Sequence, residues 1–200
     1  MKRHVAIMVF DDVEVLDFAG PFEVFAVTNE LNGFETFHTF TVAEGPGSVR
    51  ARNGLKLVPD FTLESAPLPH LLVVPGGAGT RPLLRKAAVL EWIRQRARQA
   101  ELVASVCTGA LVLAQAGLLH NLRATTHHEN FAELAALAPN TDVIKDVRFT
   151  DNGRILTSAG ISAGIDLSLH IVARLHGAET AQKTADYMEY HWTNDGGLQR

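Results

Sequence analysis

The chain contains one cysteine, set in the run Leu102-Val-Ala-Ser-Val-Cys-Thr-Gly-Ala-Leu111, where a short apolar strand passes into a helix with almost no loop between them. A residue at such a corner must turn sharply, and its side chain projects clear of the sheet, as in the serine elbows of hydrolases. Thr108, Gly109 and Ala110 are small enough for the helix to approach closely. A helix N-terminus also supplies unpaired N–H groups and positive potential. Both favour thiolate over thiol, so the position predicts Cys107 as a nucleophile with a depressed pKa. Most lone cysteines are small buried hydrophobes, and it is the position rather than the residue type that carries the expectation.

Attack by a thiolate needs a proton carrier and donors for developing charge. Asp17 lies in Val15-Leu-Asp-Phe-Ala-Gly-Pro21, a carboxylate between apolar residues. Such a group is expensive unless paired or protonated, and beside a thiolate it would share a proton and titrate as one of a pair. Asp17 is therefore the expected general acid/base, with Glu14 and Glu23 nearby as alternatives. Gly76 and Gly77, in Pro75-Gly-Gly, could bring backbone N–H groups to a substrate and, with the N–H of Thr108, form an oxyanion-hole-like cradle. His127, in Thr125-Thr-His-His-Glu129, could handle protons or simply cap a helix. The histidine pair raises the question of a metal, but neither H-E-x-x-H nor a cysteine ligand accompanies it, and no metal or cofactor is expected. Gly160-Ile-Ser-Ala-Gly164 matches G-x-S-x-G, yet it follows a hairpin strand. Ser162 is read there as the N-cap of the next helix and as a residue that could line the pocket, not as a nucleophile.

These residues need a scaffold. His4–Phe10, His70–Val74 and Leu102–Val106 read as buried strands, and Thr36–Ala43 alternates like a strand. Val49–Val58 reads as a hairpin turning near Asn53-Gly54, and Val147–Thr150 with Arg154–Thr157 as a second one around Asp151-Asn152-Gly153. Helices are expected from Gly20-Pro21 to Leu31, over Val89–Gln99, Gly109–Ala116, Glu129–Leu137, Ile161–Leu175 and Glu179–Tyr190. Buried strands alternating with helices predict an α/β three-layer sandwich, a mostly parallel, flavodoxin-like sheet with helices on both faces and sites beyond the carboxyl ends of the strands. No linker divides the chain, so residues 1–192 are expected as one domain, with 193–200 as a frayed tail.

The formal net charge is −4 without a Lys/Arg cluster, which disfavours nucleic acid as a partner. The apolar segment after Lys2-Arg3 is too short for a signal peptide, and nothing approaches a membrane span. A single cysteine suits a reducing compartment, so a cytoplasmic protein is expected.

Val73-Val-Pro-Gly-Gly-Ala-Gly79, Ser105-Val-Cys-Thr-Gly-Ala-Leu111, Ala124-Thr-Thr-His127 and Gly160-Ile-Ser-Ala-Gly-Ile-Asp166 together resemble the ThiJ/PfpI superfamily, with its class I glutamine-amidotransferase-like fold. The resemblance runs from His4 to about Tyr190. Within it, the L-D-x-x-G-P motif at Leu16–Pro21 is similar to the branch of isonitrile hydratase and the sensor-like domains of AraC-type regulators. It carries aspartate where chaperone and glyoxalase-like members usually carry glutamate. The resemblance implies Cys107 as nucleophile, Asp17 as its acidic partner, and a homodimer. It implies hydration of a small isonitrile to an N-substituted formamide. Other thiol chemistry (glyoxalase- or deglycase-like, amidase or peptidase) and a non-enzymatic redox sensor are the alternatives. His127 falls at the family's histidine position, although isonitrile hydratase is not generally described as using a Cys-His pair. The regulators continue into a helix-turn-helix domain, whereas this sequence stops at Arg200, so DNA reading is not expected.

Overall fold

The apolar runs at residues 3–8, 71–74 and 102–106 are too short for helices, and in the computed structural model of the chain they are neighbouring strands at the centre of an eight-stranded sheet. The structure describes residues 1–193 and the backbone of 197 and 198. The first half of the chain runs β1 (Arg3–Met8), α1 (Val15–Leu31), β2 (Phe37–Ala43), β3 (Val49–Arg50), β4 (Lys56–Leu57), β5 (Phe61–Thr62), β6 (Leu71–Val74), α2 (Thr80–Leu83), α3 (Ala87–Gln99) and β7 (Leu102–Val106). Then follow α4 (Gly109–Gln115), β8 (Arg123–Ala124), α5 (Phe131–Leu137), β9 (Asp142–Val143), β10 (Phe149–Asp151), β11 (Ile155–Ser158), α6 (Ala163–His176), α7 (Ala178–Tyr187) and β12 (Gly197–Leu198).

The main sheet has the order β12-β10-β11-β7-β6-β1-β2-β5. Its pairs are parallel except β10 with β11, the expected hairpin. Helices cover both faces: α1, α6 and α7 pack together on one, and α4 with α2 and α5 on the other. β6 and β7 are buried along their whole length, as strands covered on both sides must be. After β1 the chain moves to β2 on one side and returns to β6 on the other, so a switch point opens between β1 and β6. The 49–57 hairpin forms as expected, with Asn53 and Gly54 both at positive φ, and stands apart from the main sheet. Short elements without a strong local pattern (β5, α2, β9) were not anticipated.

One boundary needs correction. The first helix was expected to open at Gly20-Pro21, but α1 starts at Val15 and runs through Pro21, which puts Asp17 in its first turn rather than in a loop. The buried stripe explains this. Asp17 and Phe18, Gly20 and Pro21, Val24 and Phe25, and Val27 and Thr28 are all buried, an unbroken helical period across the proline. Packing of that stripe outweighs the hydrogen bond Pro21 cannot donate. Most of the expected frayed tail, 193–200, lies outside the described residues; within it, Gly197 and Leu198 pair in parallel with Phe149 and Thr150.

Candidate active site

Cys107 occupies the corner between β7 and α4 with φ +56°, a left-handed conformation that costs a non-glycine residue roughly 1–3 kcal/mol. Its surroundings hold it there. The Cys107 N–H donates to the carbonyls of Ser158 and Ala159, each at 3.2 Å, and its own carbonyl accepts from Thr126 Oγ1 at 2.8 Å. Gly109 lets α4 start directly behind the corner, because a Cβ there would run into the Val74 carbonyl. The expected elbow is present, and the cysteine is buried, with 6% of its surface exposed at the edge of a cavity.

Asp17 arrives from α1 across the switch point. Its Oδ2 accepts from the Gly76 N–H at 3.0 Å. A Cβ on Gly76 would sit 2.5 Å from the Thr108 nitrogen and 2.8 Å from Asp17 Oδ2, so only glycine fits between the acid and the elbow. The carboxyl is fully buried, and its Oδ1 has no hydrogen bond of normal geometry. The Cys107 thiol and the Ile161 N–H are the further donors close enough to act on the carboxyl. Burial, reinforced by the charge of Glu14, pushes Asp17 up to about 7 against the Gly76 hydrogen bond. Burial and then the charge of Asp17 push the Cys107 thiol up to about 12.

That direction corrects one expectation. The acid rises beside the sulfur as anticipated, but the thiol is not depressed. α4 is only seven residues long, and its N-terminal potential does not offset the loss of water around the sulfur. The thiol and the carboxyl therefore titrate as one coupled pair that shares a proton.

The glycine cradle also needs correction. The Gly76 N–H is engaged by Asp17, and the Gly77 N–H donates to Thr108 Oγ1 at 2.9 Å. Neither is free for a ligand. The Thr108 N–H faces the Cys107 sulfur and is the amide of that group still placed to stabilise charge there. His127 lines the same cavity as Cys107. Its Nδ1 accepts from the Glu129 N–H at 3.4 Å, capping the 3₁₀ turn at 128–130, and leaves Nε2 as the protonated nitrogen. Burial and the neighbouring His128 hold its pKa below the ordinary histidine value, so the ring is neutral. Ser162 does not join them. It precedes α6 without capping it, accepts from Arg148 Nη2 at 3.1 Å, and lines the adjacent cavity instead.

The Cys107 cavity measures about 270 Å³, with Glu14, Arg52, Arg81, His127 and Ile161 prominent in its walls. Larger hollows open elsewhere, including one of about 410 Å³ beside Phe10, Pro46 and Leu83, but Cys107 does not line that one. Arg52 comes from the hairpin and is anchored by its backbone N–H to the Val13 carbonyl at 2.9 Å and by Nη1 to Glu14 Oε2 at 3.0 Å. Arg81 comes from α2 and pairs with Glu133 at 2.6 Å. Ile161 has φ +56°, unusual for a β-branched residue, and stands at the wall between this cavity and the one holding Ser162. Neither arginine was a candidate from sequence. Arg52 next to Asn53-Gly54 and Arg81 next to the Gly-rich turn read locally as ordinary loop cations. Only the fold turns them toward the sulfur.

Comparison with known proteins bears on this arrangement. Residues 3–174 match the DJ-1/PfpI family. The chain is 37% identical over 193 residues to the isonitrile hydratase of Pseudomonas putida, covering 95% of this chain and 79% of that one. It is 28% identical over 188 residues to the HTH-type transcriptional regulator GbdR of Pseudomonas aeruginosa, where it spans 51% of the regulator's length. Among solved structures, a ThiJ/PfpI family protein from Pseudomonas syringae superposes with a TM-score of 0.85 at 29% identity, covering 95% of this chain and 76% of that one. Drosophila melanogaster DJ-1beta superposes at 0.82 with 19% identity, over 96% and 100% of the two chains, a likeness of fold.

Proposed function

This chain belongs to the DJ-1/PfpI family, and from that premise we propose that it hydrates a small isonitrile to the N-substituted formamide, with Cys107 as nucleophile and Asp17 as proton carrier. The observation that carries this is the buried pair itself: a thiol at the edge of the cavity and, buried behind it, a carboxyl close enough to share its proton, with one carboxyl oxygen lacking a normal partner. An isonitrile carbon must gain both a nucleophile and a proton. The sulfur attacks that carbon as Asp17 takes the thiol proton, and Asp17 then delivers the proton to the same carbon, giving an N-substituted thioimidate. Water adds to the C=N bond, the nitrogen takes a proton, and the carbon–sulfur bond breaks to release the formamide. Asp17 carries the last proton back to the thiolate. Splitting the hydration in this way replaces one difficult step by two easier ones. In this reading the Thr108 N–H, which faces the sulfur, and the neutral His127 of the same cavity donate during the addition.

Formamide production from a simple alkyl isonitrile, followed with wild type and Cys107→Ala, tests this directly. Loss of all turnover in the variant is expected, and full turnover by Cys107→Ala overturns the mechanism. The similarity to GbdR favours a second reading, in which the cavity binds its ligand without converting it. Saturable isonitrile binding with no formamide formed would select that one. No helix among the described residues is long and apolar enough to cross a membrane. A single-cysteine chain suits the reducing cytoplasm, where we place it. The homodimer that the resemblance implies belongs to the same reading. Its candidate surface is the outer side of α1, an apolar helix that leaves Leu16 and Leu31 exposed, and the solution mass tests it.

A further inference from the structure

The walls of the Cys107 cavity combine polar and apolar surface, and two arginines bring guanidinium donors to it. Arg52 contributes a side-chain hydrogen bond from Nη1 to Glu14, and among the described residues its Nε and Nη2 have no protein acceptor. Arg81 places Nη1 on Thr80 Oγ1 at 3.2 Å and Nη2 on Glu133, which leaves its Nε open. The two side chains come from separate elements, are 56% and 40% exposed, and line a cavity that His127 also lines. Each arginine has one carboxylate partner, Glu14 for Arg52 and Glu133 for Arg81, and keeps guanidinium N–H groups beyond it. Glu14 is held by Arg52, and Glu129, 75% exposed, lies out at the rim. Ala78 and Ile161 are the lining residues with hydrocarbon side chains. A hydrocarbon substituent entering here would strip water from two guanidinium groups and give no hydrogen bond in return. A carboxylate would replace that water with charge-assisted bonds, which the planar fork of arginine is shaped to make.

Resting on the isonitrile reading above, we propose that the substrate of this cavity carries a carboxylate, held by Arg52 and Arg81 while its reactive carbon meets Cys107. The ligand class is thus a small isocyano acid rather than an alkyl isonitrile. Glu14 keeps its bond to Arg52, so the ligand adds to that pair instead of displacing it.

The test compares isocyanoacetate with its neutral methyl ester, using kcat/KM for each. Wild type is expected to favour the acid by about tenfold or more. In Arg52→Gln/Arg81→Gln that ratio should fall to near parity, and in Arg52→Lys/Arg81→Lys it should survive in part. Because the ratio is internal to each variant, a general loss of activity or folded fraction cancels. An ester turned over as well as the acid by wild type, or a preference that persists without both arginines, overturns the proposal. A second measurement does not depend on hydration. Cys107 is alkylated by iodoacetate and by iodoacetamide, the sulfur displacing iodide in both as the thiol proton is lost. The iodoacetate-to-iodoacetamide rate ratio should be about tenfold higher in wild type than in the Gln/Gln variant. Should no isonitrile be turned over, the hydratase reading fails, while this ratio still decides whether the cavity selects anions: an unchanged ratio overturns it, and a lowered one upholds it.

Discussion

Two of the buried aspartates, Asp17 and Asp151, are treated in opposite ways. Asp17 is fully buried and Asp151 is 8% exposed. Asp151, at the end of β10, accepts from Arg174 Nη1 at 2.8 and 3.0 Å, from the Gly153 N–H at 2.7 Å, and pairs with His170 Nε2 at 2.8 Å. Burial pushes that carboxyl up, but the His170 hydrogen bond, the Gly153 N–H and Arg174 together outweigh it and hold the pKa below the usual range. Asp17 has one hydrogen bond of normal geometry, an orphaned oxygen and the charge of Glu14 nearby, and it rises to about 7. Burial alone therefore says little about an acid's role. A satisfied buried carboxylate ties α6 to the sheet, and an under-satisfied one is left able to exchange a proton.

The sharpest way to break this contrast is to neutralise each acid in turn. Asp17→Asn should lower kcat/KM on an isonitrile by about 100-fold or more, the size of a lost acid/base group, with Tm raised near neutral pH. Asp151→Ala should do the reverse. It leaves His170 buried without its partner and should cost about 3 kcal/mol, roughly 6–12 °C in Tm, with activity per folded molecule intact. If Asp17→Asn loses stability and keeps activity, the assignment of roles is wrong.

The pH dependence separates the two next. Asp17 must be ionised to receive the thiol proton, so kcat/KM should rise with pH, roughly tenfold per unit below about 7, and level off above it. Stability runs the other way. The native state keeps a proton on Asp17 up to about 7, whereas the unfolded chain releases it near 3.8, so folding loses stability as pH rises between those values. The cost, up to about 4 kcal/mol, is absent below the lower value and complete above the upper one. Asp17→Asn removes it, so the Tm gap between variant and wild type should widen from about pH 4 to about pH 7 and then stay constant. A gap independent of pH would show that Asp17 is not held protonated by the fold.

How much of this was legible in the sequence depends on the reach of each interaction. The elbow at Cys107 was legible because a strand, a sharp turn and small helix-opening residues are neighbours in the chain. Asp17 stood out as one carboxylate among Leu16, Phe18 and Ala19. The central strands followed from continuous apolar runs. The direction of the thiol pKa was not legible, because the elbow is surrounded by the end of β11, the Ile161 loop and Asp17 of α1, all distant in sequence. The Gly76 and Gly77 amides read as free for the same reason, since their acceptors come from α1 and from the far side of β7. Arg52 and Arg81 carried no local mark at all. His170 and Arg174 were equally silent, because their partner sits on β10 and only the antiparallel hairpin brings Asp151 to α6.

The finest adjustment of the comparison removes one of several partners rather than the acid. Arg174→Gln takes away the guanidinium bonds to Asp151 but leaves His170 and the Gly153 N–H in place. Arg174 is about one-third exposed, so part of its contribution is already screened by water, and the expected cost is about 1 kcal/mol near neutral pH. The sign of the pH effect is more telling than its size. Asp151 is depressed in the native state, so it contributes stability that is present above its unfolded pKa and lost as pH falls through the native value. Removing Arg174 raises the native value toward the unfolded one, so acid unfolding of the variant should begin at higher pH than in wild type. Thermal melts between about pH 2 and 7 would read this as a variant deficit that is constant at neutral pH and vanishes at the acid end, where Asp151 is protonated in both states. A deficit that persists undiminished in acid would mean that Arg174 acts by packing its stem, and that the low pKa of Asp151 rests on His170 and the Gly153 N–H alone.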